Sequence, residues 1–426
     1  MSLADVRYQD HAFRQVQRAL AANRLPHAYL FHGPHGVGKE TFANGLAQTL
    51  LCDAPEDVSS QSRACQQAGG TARDEATKVR GTNEGAGTSD EATKTCAAVS
   101  SYRVACGQCK ECELVHARTH PDLHVIFRQL NREHPDADVR KRKALIISVD
   151  VVREFIVKRI ALKPTRGRIK VFLVREADRM NEQAQNALLK TLEEPPGSAL
   201  LVLLVDSIDR MLPTTLSRCQ VVRFDALPVA FVREKLAELV PGLDSDRAAW
   251  YARSSDGSLG ATLERVEDEW YELNGPLLDD LTELAARRSD TISQQWLDSA
   301  KALGAKCRKR DPEMTETEAV RRGLSAVLQL CALWYADVLR EMQGESSLVV
   351  NKASQTQIRK SSESFGAERC AEDHPPGGRH RLADQPVQRV VEGDRVRRQH
   401  RLRRLSGHPA RATVVQCRDS EAAFGE

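Results

Sequence analysis

Within residues 30–41, three glycines and a lysine are spaced so that a chain can wrap a phosphate group. Gly33, Gly36, Gly38 and Lys39 follow the P-loop arrangement. Free backbone N–H groups at a helix N-terminus surround phosphate oxygens there, and the lysine reaches the terminal phosphates. The next position calls for Ser or Thr, whose hydroxyl holds Mg²⁺. Here it is Glu40, and Thr41 comes one residue late, turned about 100° around the helix. A chance glycine turn is the bland alternative. An apolar strand before and a helical pattern after favour the phosphate loop.

A second place bears on the same ion. Ile169–Val174 reads as a buried strand that runs into Arg175 and Glu176. A P-loop ATPase carries there an Asp for Mg²⁺ and then a Glu that positions water. Arg175 stands at the Asp position, and a guanidinium has no lone pair to offer a cation. Two departures acting on one ion argue for lost hydrolysis.

The third constellation is Cys106, Cys109 and Cys112, two Cys-x-x-Cys steps in succession. Such spacing turns consecutive sulfurs back onto one ion, and tetrahedral zinc needs a fourth ligand. Cys52 is the leading candidate and His116 the runner-up. An iron–sulfur cluster would call for a further Cys followed by Pro. Unliganded thiols are the remaining reading. A closed four-ligand shell leaves no position for chemistry, so the zinc would be structural.

These residues need strands and helices to hold them. Ala12–Ala22 has the helical period, Ala28–His32 the strand, and Phe42, Leu46, Ala47, Leu50 and Leu51 a helix face. Leu123–Phe127, Leu200–Val205 and Gln220–Phe224 complete five strands. Asn131–Lys143 reads as a charged loop. Ser148 is a fitting N-cap for a helix that buries Val152, Phe155, Ile156 and Ile160. A further helix, through Ala184, Leu188, Thr191 and Leu192, stops at Pro195 and Pro196. Strands alternating with helices imply an α/β fold around a mainly parallel sheet. Between residues 53 and 101 the pattern vanishes into Ser, Thr, Gly, Ala and charge, and residues 74–78 recur as 90–94. Such a stretch buries too little to offset its ordering entropy, so a disordered insertion is expected, with Cys65 and Cys96 as free thiols. Arg153, Lys158, Arg159, Lys163, Arg166, Arg168 and Lys170 form a basic run. It suits either the phosphate backbone of DNA or a solvated face.

At 426 residues and a net charge of +3, the chain should hold two to four domains, and electrostatics alone names no partner. No run of 18 apolar residues exists, and Met1–Asp10 lacks the apolar core of a signal peptide, so a cytoplasmic protein without a membrane span is expected. Its 11 cysteines are then thiols or metal ligands.

The P-loop, the cysteine set, Thr119–Asp122, the run 186–196 and Ser217-Arg218-Cys219 together resemble bacterial clamp-loader AAA+ subunits of DNA polymerase III. The likeness covers about residues 5–285 apart from the insertion, and more weakly the helices to about 366. It implies a P-loop AAA+ core with a zinc module (1–225), a helical lid (226–285) and a helical collar domain (286–366). It implies zinc on Cys52, Cys106, Cys109 and Cys112, and Arg218 as a finger reaching the ATP site of a neighbouring subunit. It also implies partners: the delta, tau and gamma subunits in a hetero-pentamer, a sliding clamp and primed DNA. Some members of the family have degenerate ATP sites. Active lids carry Gly-Ser-x-Arg, and here Gly260 replaces that arginine after Gly257, Ser258 and Leu259. Residual ATP binding through Lys39 stays open, as does the alternative of an ATP-hydrolysing tau- or gamma-like motor.

Ala319–Met342 carries a long apolar stripe that suits the collar or an intramolecular core. From Ser361 onward there are 12 arginines and no lysine. The segment 367–426 reads as a basic nucleic-acid-binding tail or as a shifted reading frame.

Overall fold

The computed structural model describes residues 3, 6–59, 101–195, 198–285 and 292–372. The chain divides into two units, Met1–Gly366 and Ala367–Glu426. Of the second, only the last turns of helix Gln355–Glu372 are described, and most of the arginine-rich segment lies outside the described residues. So do Cys65, Cys96, the repeated pentapeptide and Pro196.

Seven strands are described: β1 (Ala28–His32), β2 (Glu56–Ser59), β3 (Ser101–Val104), β4 (Leu123–Ile126), β5 (Lys170–Val174), β6 (Ala199–Val205) and β7 (Gln220–Arg223). Five form one parallel sheet in the order β4-β5-β6-β1-β7. The central strands β5 and β6 are buried along their whole length, as a parallel sheet covered on both faces requires. Helices Asp10–Ala21 and Lys39–Leu51 fill one face through Phe13, Val16, Phe42 and Leu46. Helix Glu182–Glu193 and the helical stretch from Val149 to Ile160 fill the other through Leu188, Val152, Phe155 and Ile156. The Ser148 hydroxyl accepts from the Val151 N–H at 3.4 Å, the cap expected of it.

Three expectations need correction. The insertion does not begin at residue 53. Glu56–Ser59 and Ser101–Val104 pair antiparallel, with Ser59 opposite Ser101, and Tyr102 packs edge-on against Phe13 at 5.1 Å. Tyr102, Val104 and, in part, Val58 join the core to which helix Asp10–Ala21 contributes Phe13. Asn131–Lys143 is not one open loop. A 3₁₀ helix (Arg128–Glu133) and a short helix (Ala137–Arg140) order it, the second capped by Asp136. The stripe on helix Glu316–Met342 is two faces. Val327, Cys331 and Trp334 are buried, whereas Leu324, Leu328, Tyr335 and Leu339 are exposed.

The remaining helices, from Val229–Leu239 to Gln355–Glu372, share one apolar core. Trp250, Trp270 and Leu278 meet Ala300, Leu330 and Trp334 in it.

Candidate functional site

The P-loop follows β1, the strand between β6 and β7, so parallel neighbours on both sides fix where it starts. Gly36 has φ +70° and lies against Gly260; a Cβ on it would stand 2.4 Å from the Gly260 Cα. Gly38, at φ +100°, is the left-handed N-cap of helix Lys39–Leu51. Both need a residue free of a side chain.

Lys39 is buried, and its Nζ donates to Gly33 O and Pro34 O at 2.6 Å each and to Asp206 Oδ1 at 2.7 Å. Asp206 follows directly after β6 and also faces His35 Nδ1 at 3.5 Å. Burial opposes the Asp206 charge, but hydrogen bonds from His35 and Lys39 outweigh it and bring the carboxyl down to about 2. His35 reaches across to Glu264 Oε1 at 3.2 Å, and hydrogen bonding to Asp206 and Glu264 lifts its imidazole to about 10. Two further bonds fasten the segment around Gly260 to the loop. Gly260 N–H donates to Gly36 O at 3.2 Å, and the Ser258 hydroxyl donates to His35 O.

Glu40 and Arg175, the two residues that depart from the ATPase pattern, meet each other. Arg175 Nε lies 3.1 Å from Glu40 Oε2, and Arg118 stands 3.9 Å from the other Glu40 oxygen. Glu176, in the left-handed region at φ 49°, is held between Arg128 Nε at 3.1 Å and Arg179 Nε at 3.2 Å. Both of its oxygens already carry a guanidinium partner. Glu40, Thr41, Arg175 and Glu176 border, with Gly36, Gly38 and Lys39, a cavity of about 480 Å³ whose far wall is apolar: Val6, Leu227, Phe231, Leu259 and Leu263. That wall suits a flat ring, and the loop suits phosphates.

The cysteines converge. Cys52 caps helix Lys39–Leu51, Cys109 caps helix Lys110–His116, and Cys112 lies inside that helix. The Sγ atoms of Cys52, Cys106, Cys109 and Cys112 all lie within 4.8 Å of one another. Cys52 is 3.5 Å from Cys106 and 3.8 Å from Cys109, and Cys106 is 4.0 Å from Cys112. Four thiolates about 2.3 Å from a tetrahedral ion stand roughly 3.8 Å apart. A disulfide needs about 2.05 Å. These four cysteines could hold a metal ion, and His116 is outside the cluster.

Arg218 follows the short helix Pro213–Leu216 and does not line the P-loop cavity of its own chain. Its Nη1 donates to Thr214 O at 2.9 Å and Ser217 Oγ at 3.3 Å, and its Nη2 lies 2.6 Å from Glu193 Oε1.

The basic run is not a uniform patch. Lys170 is buried, Lys158 pairs with Glu154, and Arg166 makes a two-pronged contact with Glu111. Thr119–Asp122 gains a local account: Asp122 accepts from the N–H groups of Thr165, Arg166 and Gly167 at 2.7–2.8 Å. It thereby holds the loop that brings Arg166 to the cysteine-bearing helix. Sequence reading missed Asp206, His35 and Glu264. Asp206 had a signal, since it is the first acid after the apolar run 200–205, at the strand end where α/β ligands bind.

A family model described as "DNA polymerase III, delta subunit" matches residues 8–88 and 81–228, together more than half of the chain. The DNA polymerase III subunit delta' of Pseudomonas aeruginosa is 34% identical over 193 residues, 45% of this chain and 41% of that protein. The delta' subunit of Bacillus subtilis is 26% identical, covering 68% of this chain and 70% of its own length. The tau subunit of Salmonella typhimurium is 28% identical over 62% of this chain and 33% of its own length. The chain thus spans less than half of the first and last of these relatives. A solved gamma subunit-related protein from Thermotoga maritima covers 59% of this chain and 66% of its own at 20% identity, with a TM-score of 0.26 that carries no weight. The span matched by the family model holds the P-loop, the four clustered cysteines and Arg218, and on that match this chain belongs to the DNA polymerase III delta-subunit family.

Proposed function

We propose that this chain is a delta'-type clamp-loader subunit: it does not hydrolyse ATP, and it lends Arg218 to the ATP site of a neighbouring subunit. The observation that carries this reading is the Glu40–Arg175 ion pair. It puts a guanidinium and its carboxylate partner where magnesium would need a hydroxyl and an acid. Glu176, held by two arginines, is not free to position water. Lys39 and the loop amides keep the means to bind the phosphates of ATP weakly. Zinc on Cys52, Cys106, Cys109 and Cys112 clamps the end of the P-loop helix to the cysteine-bearing helix. Residues 1–225 act as the AAA+ core, 226–285 as the lid and 286–366 as the collar.

The working complex is a hetero-pentamer with delta and tau or gamma subunits, which opens a sliding clamp and places it on primed DNA in the cytoplasm. The exposed Leu324, Leu328, Tyr335 and Leu339 suit a collar contact with a neighbour. In the described residues, no helix is long and apolar enough to cross a membrane.

Reconstitution with partner subunits tests the reading. Arg218→Ala should leave assembly intact and lower ATP turnover of the complex by about 10³-fold or more, the scale of a finger acting wholly in trans. Unchanged turnover removes the assigned role. The second reading, a tau- or gamma-like motor, draws on the intact Lys39. It expects turnover by the isolated chain that disappears in Lys39→Ala.

A further inference from the structure

Arg218 is not a loose surface side chain. One guanidinium nitrogen is fixed by the Thr214 carbonyl and the Ser217 hydroxyl, and the other by Glu193 at 2.6 Å. Glu193 is the last residue of helix Glu182–Glu193, which the Asn181 side chain caps and whose Leu188 and Leu192 are buried under the sheet. The carboxylate is therefore carried by a rigid element, while Arg218 itself follows a four-residue helix. Ion pairs at half-exposed positions contribute little to stability. This pair, with side chains 49% and 33% exposed, is no exception, so a stabilising role does not account for it. What three anchors on one guanidinium do accomplish is to hold it in a single orientation.

We propose that Glu193 is a positioning residue for Arg218. It holds one edge of the guanidinium so that the remaining N–H donors point outward, toward a phosphoryl group carried by an adjoining subunit. The inference rests on the trans-acting role proposed above for Arg218. A guanidinium has five donors in a fixed fork, and Glu193 occupies one edge of it. The Thr214 carbonyl and the Ser217 hydroxyl take two more, so two N–H donors stay available to equatorial phosphoryl oxygens. Orientation settled before the encounter leaves less rotamer freedom to lose at the transition state.

The test is a double-mutant cycle on ATP turnover by the reconstituted complex, with assembly followed by size-exclusion chromatography. Glu193→Ala should lower kcat about 10-fold, leave the KM for ATP unchanged and leave assembly intact. Adding Glu193→Ala to Arg218→Ala should cost nothing further, because a positioning residue has nothing left to position. Glu193→Gln, which keeps an acceptor for Nη2, should recover most of the loss. Additive losses in the double variant, or an unchanged or raised kcat in Glu193→Ala, overturn the proposal while the finger itself stands. No loss in Arg218→Ala overturns both.

Discussion

Lys39 shows how a single residue reports the state of its site. Its ammonium already holds two carbonyls and the Asp206 carboxylate, so a phosphate would have to displace an acid. The Glu40–Arg175 pair stands where the proposed function places a lost magnesium site. Replacing both partners should therefore reopen it. Glu40→Ser combined with Arg175→Asp should create Mg²⁺-dependent ATP binding, seen by calorimetry in Mg²⁺ but not in EDTA, and about 10-fold or more tighter than any wild-type binding. His35 supplies a pH prediction. Its folded pKa of about 10 lies above the ordinary 6.5, so its contribution is complete below pH 6.5 and is lost as pH rises through 10. The Asp206 share behaves oppositely: present above the ordinary 3.8 and lost as pH falls through about 2. The stability difference between wild type and His35→Ala in urea should be flat from pH 5 to 6.5 and shrink toward zero near pH 10. Because His35 is well exposed, solvent screening keeps the difference small.

At the scale of elements, the cysteine cluster ties the C-terminal end of helix Lys39–Leu51 to helix Lys110–His116. That end is opposite the phosphate loop. A metal held there would steady the helix without entering the cavity beside Lys39. Chelation should lower unfolding stability by about 2.7 kcal/mol relative to metal present at a hundredfold excess over its Kd. Differential scanning fluorimetry with and without chelator measures it, and a mass-spectrometric metal count of one per chain should fall in Cys109→Ser. The β2–β3 stem illustrates what composition obscures. Residues 53–59 read as part of a polar tract, yet Glu56–Ser59 pairs with Ser101–Val104, and Tyr102 packs on Phe13. Local polarity records what a segment can bury alone, and nothing of what a neighbour offers it.

For the whole molecule, helix Glu316–Met342 is the element with two allegiances. Its buried face shares one core with Trp250 and Trp270, and its other face presents Leu328 and Tyr335, 54% and 51% exposed. Leu328→Glu should change the stability of the isolated chain by no more than about 0.5 kcal/mol. In the reconstitution it should abolish assembly, read by size-exclusion chromatography. Assembly at wild-type affinity would take this face out of the interface.

The sequence by itself determined the five parallel strands, the phosphate loop, the convergence of three cysteines, and that Glu40 and Arg175 stand where the ATPase pattern has Ser or Thr and Asp. Each of these depends on local period, turn chemistry or short spacing. Tertiary structure alone decided that Glu40 and Arg175 neutralise each other, that Asp206 and Glu264 share His35, and that Glu193 holds Arg218. Such pairs join residues from separate elements. Their distance is set by the twist and order of the sheet and by helix packing, which no short window of sequence contains.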